Sequence, residues 1–270
     1  MTAAARDISV GLDIEVQTPT ELEMQIAVAR VPGIRLDEEL AVTLDGEPVE
    51  LEELVDPLGA RIHRMQLTPG DLEVSYRAAV ETGGGATPVT PHDRSVYLRP
   101  SRYAESDRFF ALVGSQFDRS LPAAELAREV VGFVASRLRY VPGVSDVNDS
   151  AIDTLLDGAG VCRDYAHLTI AILRALNIPA RLAAVYAPGL SPMDFHAVAE
   201  ALIDGEWVVL DATRLAPRQS LVRIATGRDA ADTAFLDNHG GSILLRSYRI
   251  LATVRGDLAV DDGAGLVRLP

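Results

Sequence analysis

At 270 residues, 48% of them hydrophobic and 24% charged, the chain is long enough to bury one large core or two ordinary ones. Twenty-five Lys and Arg stand against 39 Asp and Glu, a formal net charge of −14; such a surface repels phosphate backbones and anionic lipids, which argues against nucleic-acid and membrane partners. A single cysteine excludes an internal disulfide, and no Cys/His cluster has zinc-ligand spacing, so no metal and no other cofactor is expected. Met1-Thr2-Ala3-Ala4-Ala5-Arg6-Asp7 lacks the apolar core of a signal peptide, and no apolar run approaches the length of a membrane span. A reducing cytoplasm is therefore the expected location, where Cys162 would stay a free thiol.

The first hundred residues read as strands. Ile8, Val10, Leu12, Ile14 and Val16 alternate at period two, as do Leu22, Met24, Ile26 and Val28, and again Leu72, Val74, Tyr76, Ala78 and Val80. Asp45-Gly46 and Pro69-Gly70 are turn signals between such runs. This predicts an antiparallel, β-sandwich-like domain over residues 1–100, with no convergent polar cluster. The Gly/Thr/Pro-rich stretch from Thr82 to Pro91 reads as a linker.

Helices follow. Ser120 and Pro122 open one, and Leu126, Val130, Phe133, Val134 and Leu138 mark its apolar stripe, with a stop near Tyr140 before Pro142-Gly143. Ser150 with Asp153 forms a capping box for a short helix ending at Gly158. A third helix carries Cys162 in its first turn, turns Leu168, Ile172, Leu173 and Leu176 inward, and stops at Asn177-Ile178-Pro179. From Arg181 the period returns to two, predicting strands from Arg181 to Ala187, Phe195 to Ile203 and Glu206 to Ala212. A last strand is expected from Ser242 to Val254, an extension of the unit spanning residues 101–270. The fold class is thus α+β.

The chemistry concentrates at Cys162. A thiol at a helix N-terminus feels the positive end of the backbone dipole, which favours the nucleophilic thiolate, and acyl transfer from it requires a histidine backed by a carboxylate. The hairpin supplies both. A two-residue turn at Asp204-Gly205 pairs Ile203 with Glu206, which sets Val198 opposite Asp211 and makes His196 and Asp211 diagonal neighbours on one face, roughly 7–8 Å apart at the backbone. Packing of the Cys162 helix on that face is expected to bring the sulfur to the other imidazole nitrogen.

Three segments resemble the bacterial transglutaminase-like cysteine enzymes, whose core is a circularly rearranged relative of the papain fold. They are Gly160-Val161-Cys162-Arg163-Asp164-Tyr165-Ala166-His167, Phe195-His196-Ala197 and Val209-Leu210-Asp211-Ala212-Thr213. Arg223 to Asp232 and Tyr97 to Ser101 are similar to further family segments, and the likeness runs from about Ser101 to Gly241. It implies Cys162 as nucleophile, His196 as base and then acid, and Asp211 as the group that orients His196. Where the family often has an aromatic residue after His-Ala, this chain has Val198.

The expected activity is a cysteine-dependent amide-bond hydrolase or acyltransferase, working through a thioester on a peptide or protein amide. The Cys162 N–H is one expected oxyanion donor, since helix N-termini present free N–H groups; Asn148 and Ser150 are the candidates for a second. His167 lies about 140° round the helix from Cys162 and reads as a buried packing residue, Asp164 as a cap, and Trp207 as a core anchor. Two other classes stay open: thioester-dependent N-acyl transfer, for which the chain shows no basic cradle for a carrier's phosphates, and a catalytically silent binding module. The sequence leaves the oligomeric state open.

Overall fold

The structure, a computed structural model, describes residues 5–82 and 87–269; Gly83 to Ala86, the centre of the stretch read as a linker, lies outside them. In chain order the first seven strands are β1 (Arg6–Val16), β2 (Thr20–Met24), β3 (Ile34–Leu44), β4 (Glu47–Pro48), β5 (Glu52–Val55), β6 (Arg61–Leu67) and β7 (Gly70–Thr82). The helical region holds α1 (Pro91–Tyr97), α2 (Phe110–Gln116) and α3 (Ala123–Arg137), then β8 (Arg139–Tyr140), α4 (Ala151–Asp157), β9 (Ala159–Gly160) and α5 (Cys162–Ala175). Six strands complete the chain: β10 (Ala180–Tyr186), β11 (Phe195–Ile203), β12 (Glu206–Leu210), β13 (Val222–Gly227), β14 (Leu236–His239) and β15 (Ile243–Val254). The molecule is α+β.

Two sheets, ordered β15-β1-β7-β3-β4 and β14-β2-β6-β5, enclose one apolar core. Strict alternation in β1, every second residue buried from Arg6 to Val16, supplies Ile8, Val10, Leu12, Ile14 and Val16 to it; β2 adds Leu22 and Met24. A third sheet, β12-β11-β10-β13, carries α5 on one face. There Leu168, Ile172 and Leu173 of the helix share a core with Ala199 and Ala201 of β11 and Leu210 of β12. The opposite face buries Val185, Val198 and Val209 with Leu269 near the chain's end.

Division at residue 100, with β15 as an extension of the second unit, differs from the observed pairing. β15 runs antiparallel to β1 from Arg6↔Val254 to Val16↔Ile243, and β14 pairs with β2. The first hundred residues leave the β1 edge unpaired, and such an edge recruits whichever strand offers matching register and an inward apolar face; Ile250 and Ala252 bury into the same core. The two parts are also joined through β10 and β13, because Tyr186, Val222, Ile224 and Ala225 belong to the sandwich core. Tyr186 is fully buried and its hydroxyl donates to the Ile26 carbonyl.

A fragment of residues 1–100 should therefore lack a cooperative thermal transition when followed by circular dichroism, whereas the full chain shows one. A sharp transition in the fragment would mean that β14 and β15 are dispensable to the sandwich.

Candidate active site

The thiol is placed by the start of α5. Val161 is extended (φ −108°) and caps the helix, its N–H donating to Asp164 Oδ2 at 2.7 Å. The carboxylate thus satisfies one of the donors a helix N-terminus leaves free and sits where the dipole favours negative charge. Gly160 is required here, because a Cβ would lie 2.7 Å from Asp164 Cβ. Cys162 is the first helical residue, partly exposed, and its sulfur lies 4.0 Å from the Phe195 carbonyl oxygen.

Phe195 and His196 begin β11, and the hairpin that follows has the predicted register. Asp204 and Gly205 take φ of 52° and 81°, the left-handed pair of a type I′ turn, and Ile203 pairs with Glu206 through to Ala199 with Leu210. One step on, Asp211 meets His196: Nε2 lies 2.8 Å from Asp211 Oδ2, both side chains buried. The other carboxylate oxygen accepts from the Thr213 N–H at 2.8 Å and from Thr213 Oγ1 at 2.7 Å. An ionised carboxylate only accepts, so Nε2 carries the donated proton and Nδ1 is left for a second partner. Nδ1 is buried and has no hydrogen bond of ordinary geometry among the described residues.

Burial alone would depress the proton affinity of His196, but the Asp211 charge and hydrogen bond, and after them the Cys162 side chain, raise it well above the ordinary 6.5. Burial acts on Asp211 in the opposite sense and is outweighed by His196 and Thr213, which hold its carboxyl below the usual range. Both shifts favour an imidazolium–carboxylate pair with the thiol at its side.

The route of the sulfur to the imidazole differs from the expected one. α5 covers the face carrying Ala199 and Ala201, while His196 shares parity with Val198 on the opposite face. Cys162 comes to His196 at the open end of β11, beside the Phe195 carbonyl, and not across the helix-covered face. Val198, the departure from the family pattern, is buried with Val185 and Leu269.

Both candidates for the second oxyanion donor hydrogen bond to a neighbouring carboxylate. Ser150 is buried as the cap of α4, its hydroxyl donating to Asp153 Oδ2 at 2.7 Å. Asn148 lies in an exposed loop with its side-chain amide on Asp146 Oδ1 at 3.1 Å. The residue at the thiol is Tyr140, read from the sequence only as the end of a helix. α3 stops instead at Arg137, and Tyr140 forms β8, paired in parallel with β9 at Gly160. Burial, then the nearby Cys162 and Asp194, push its pKa up to about 12. Asp194 in turn accepts from Tyr248 of β15 at 3.3 Å, so the sandwich reaches the rim of the site.

Other expectations concern packing. His167 is fully buried, stacked on Tyr103 at 5.3 Å, with Nε2 accepting from the Ala230 N–H at 3.1 Å. Trp207 lies beneath the Arg181 guanidinium, 3.9 Å from it. The sequence reading did not single out Glu200, which is fully buried and ties Arg181 to Arg223 at 2.8 and 2.7 Å. A cavity of about 530 Å³ is lined by Asp211, Arg214, Arg218 and Asp261, but not by Cys162 or His196. Among the described residues no group of three or more His, Cys, Asp or Glu is placed to hold a metal ion, and no helix is long and apolar enough to cross a membrane.

The chain is similar to several known proteins. Residues 112–212 match the family model of the transglutaminase-like superfamily. A solved structure from Cytophaga hutchinsonii, provisionally described as a cysteine protease, is 32% identical with a TM-score of 0.89, covering 97% of this chain and 94% of that one. The periplasmic domain of TgpA from Pseudomonas aeruginosa is 18% identical, covering 80% of this chain and 91% of that one, with a TM-score of 0.40. An uncharacterised Mycobacterium leprae protein, ML0607, is 28% identical over 149 residues, 51% of this chain. The chain spans about half the length of that curated relative, 52%.

Burial of neutral His167 has a pH consequence. Its proton affinity in the fold lies well below the ordinary 6.5, chiefly through burial. The unfolded chain binds the proton first, so this group's contribution is complete above pH 6.5 and is lost as pH falls below it. Denaturant titrations should show the wild type losing about 1.4 kcal/mol more per pH unit below 6.5 than His167→Gln. Parallel pH profiles would refute the assignment.

Proposed function

The chain belongs to the transglutaminase-like superfamily, and from that premise we propose that it is a cysteine-dependent amide hydrolase acting on peptide or protein substrates. The observation that carries this reading is the buried His196–Asp211 pair at 2.8 Å, with Nδ1 left open beside a thiol at a helix N-terminus. Asp211 fixes the tautomer and orientation of the ring, and the imidazolium it favours is the acid that a departing amine needs.

In the proposed reaction the Cys162 sulfur attacks the amide carbon, forming a C–S bond while the carbonyl pair moves onto oxygen. Collapse restores the carbonyl and breaks the C–N bond, and the amine leaves with a proton from His196. Water, deprotonated by the same imidazole, then attacks the thioester and releases the acid and the thiol. Of the residues at the rim, Tyr140 and Tyr248 are 39% and 45% exposed.

Incubation with a peptide library, with and without a primary amine, followed by mass analysis, tests the reading. The wild type should yield hydrolysed products, Cys162→Ala none, and Asp211→Asn should lower kcat on the order of 10³–10⁴-fold. Products carrying the added amine would move the assignment to acyl transfer. Undiminished turnover by Cys162→Ala would end it.

A further inference from the structure

β12 lies at one edge of the sheet that carries His196, so its outward backbone groups need partners from outside that sheet. Val209, two residues before Asp211, has both. Its N–H donates to the Val267 carbonyl at 2.7 Å, and its carbonyl accepts from Arg218 Nη1 at 3.3 Å. Arg218 is fixed in turn by Asp261. The Arg218 backbone N–H, Nε and Nη2 donate to that carboxylate at 3.0, 2.7 and 2.8 Å, and the Gly263 N–H adds a fourth donor at 3.0 Å. Both side chains of the pair are largely buried. Further on, Leu269 is 1% exposed, in one apolar cluster with Val198 and Val209.

Residues 261–269 thus form a strap along the outer edge of β12. The chain from Asp211 to Arg218 is a loop, and the strap ties its two ends together: Arg218 closes it onto Val209, and Asp261 keeps the guanidinium there. Asp211, Arg218 and Asp261 also line one cavity. We infer that Asp261, acting through Arg218, is a positioning residue for Asp211, holding the loop so that the carboxylate stays 2.8 Å from the His196 ring. Its catalytic meaning rests on the acyl-transfer reading above. A buried guanidinium that loses its partner is drawn to water. Arg218 would then release the Val209 carbonyl, and Asp211 would drift from the imidazole.

Titration of the imidazole separates this role from a structural one. In ¹⁵N-histidine-labelled Asp261→Asn, His196 should titrate about one pH unit or more below its wild-type midpoint, a tenfold loss of proton affinity. On a cleaved peptide, kcat should fall by up to about 10²-fold with KM unchanged. The double variant Arg218→Gln/Asp261→Asn removes both charges at once, leaves no bare buried cation to threaten the fold, and should show the same lowering; it decides the matter if Asp261→Asn does not fold. An unmoved midpoint, even with a lower melting temperature, would overturn the inference and leave the pair a structural brace. So would equal lowering in Arg268→Ala, which loses only an exposed pair with Glu206 at the start of β12. If the wild type cleaves no peptide, the hydrolase reading fails, while the midpoints still decide whether Asp261 positions Asp211.

Discussion

An imidazole and a carboxylate can be buried side by side only if each satisfies the other and the remaining lone pairs find donors; otherwise desolvation exceeds the attraction. Asp211 meets that condition through its hydrogen bond with His196 and two from Thr213 to its second oxygen, which leaves only Nδ1 of His196 open. Much of the surrounding architecture follows from holding this pair in place. The type I′ turn sets the register, β12 ends at Leu210 so that Asp211 can turn toward the ring, and α5 ends its N-terminal side at the opening of β11.

The sandwich is more than an appended module. Its sheet is completed by β15, whose Tyr248 also touches Asp194 at the rim of the site, and its core is continuous with β10 and β13. Motion of the sandwich relative to the sheet that carries His196 would have to break shared apolar packing, so the rim is built on a rigid support. The buried Arg181–Glu200–Arg223 cluster stiffens the same sheet, with Glu200 held well ionised by the two guanidinium groups after its burial cost is met. Loss of one partner from such a cluster leaves a bare buried charge, which costs about 3–5 kcal/mol.

Local chemistry was legible from residue types alone. Asp204-Gly205 dictates a two-residue turn and hence the His196–Asp211 diagonal; Ser150 and Asp153 dictate the start of α4, and Gly158 its left-handed end. What the sequence could not disclose was set by distant partners. Nothing in Ile243–Val254 names β1 as its neighbour, since any free edge of matching length would accept it. β3 does alternate, setting Ile34, Leu36, Leu40, Val42 and Leu44 on the sandwich core with Glu38 the one break, whereas the seven-residue helices α1 and α2 are too short to show a period. Tyr140 was hidden for the same reason: its two-residue strand exists only because Gly160 lies beside it, and that proximity is tertiary. Asn148 and Ser150, expected as candidates for the second donor, each hydrogen bond to a nearby Asp.

The central claim is that Asp211 holds His196 as a proton-loaded partner for Cys162. Its most direct test is the titration of ring-nitrogen chemical shifts in ¹⁵N-histidine-labelled protein. The account predicts that His196 titrates well above pH 6.5 in the wild type, and that the midpoint falls toward or below that value in Asp211→Asn. A wild-type midpoint at or below 6.5, unmoved by the substitution, would contradict it.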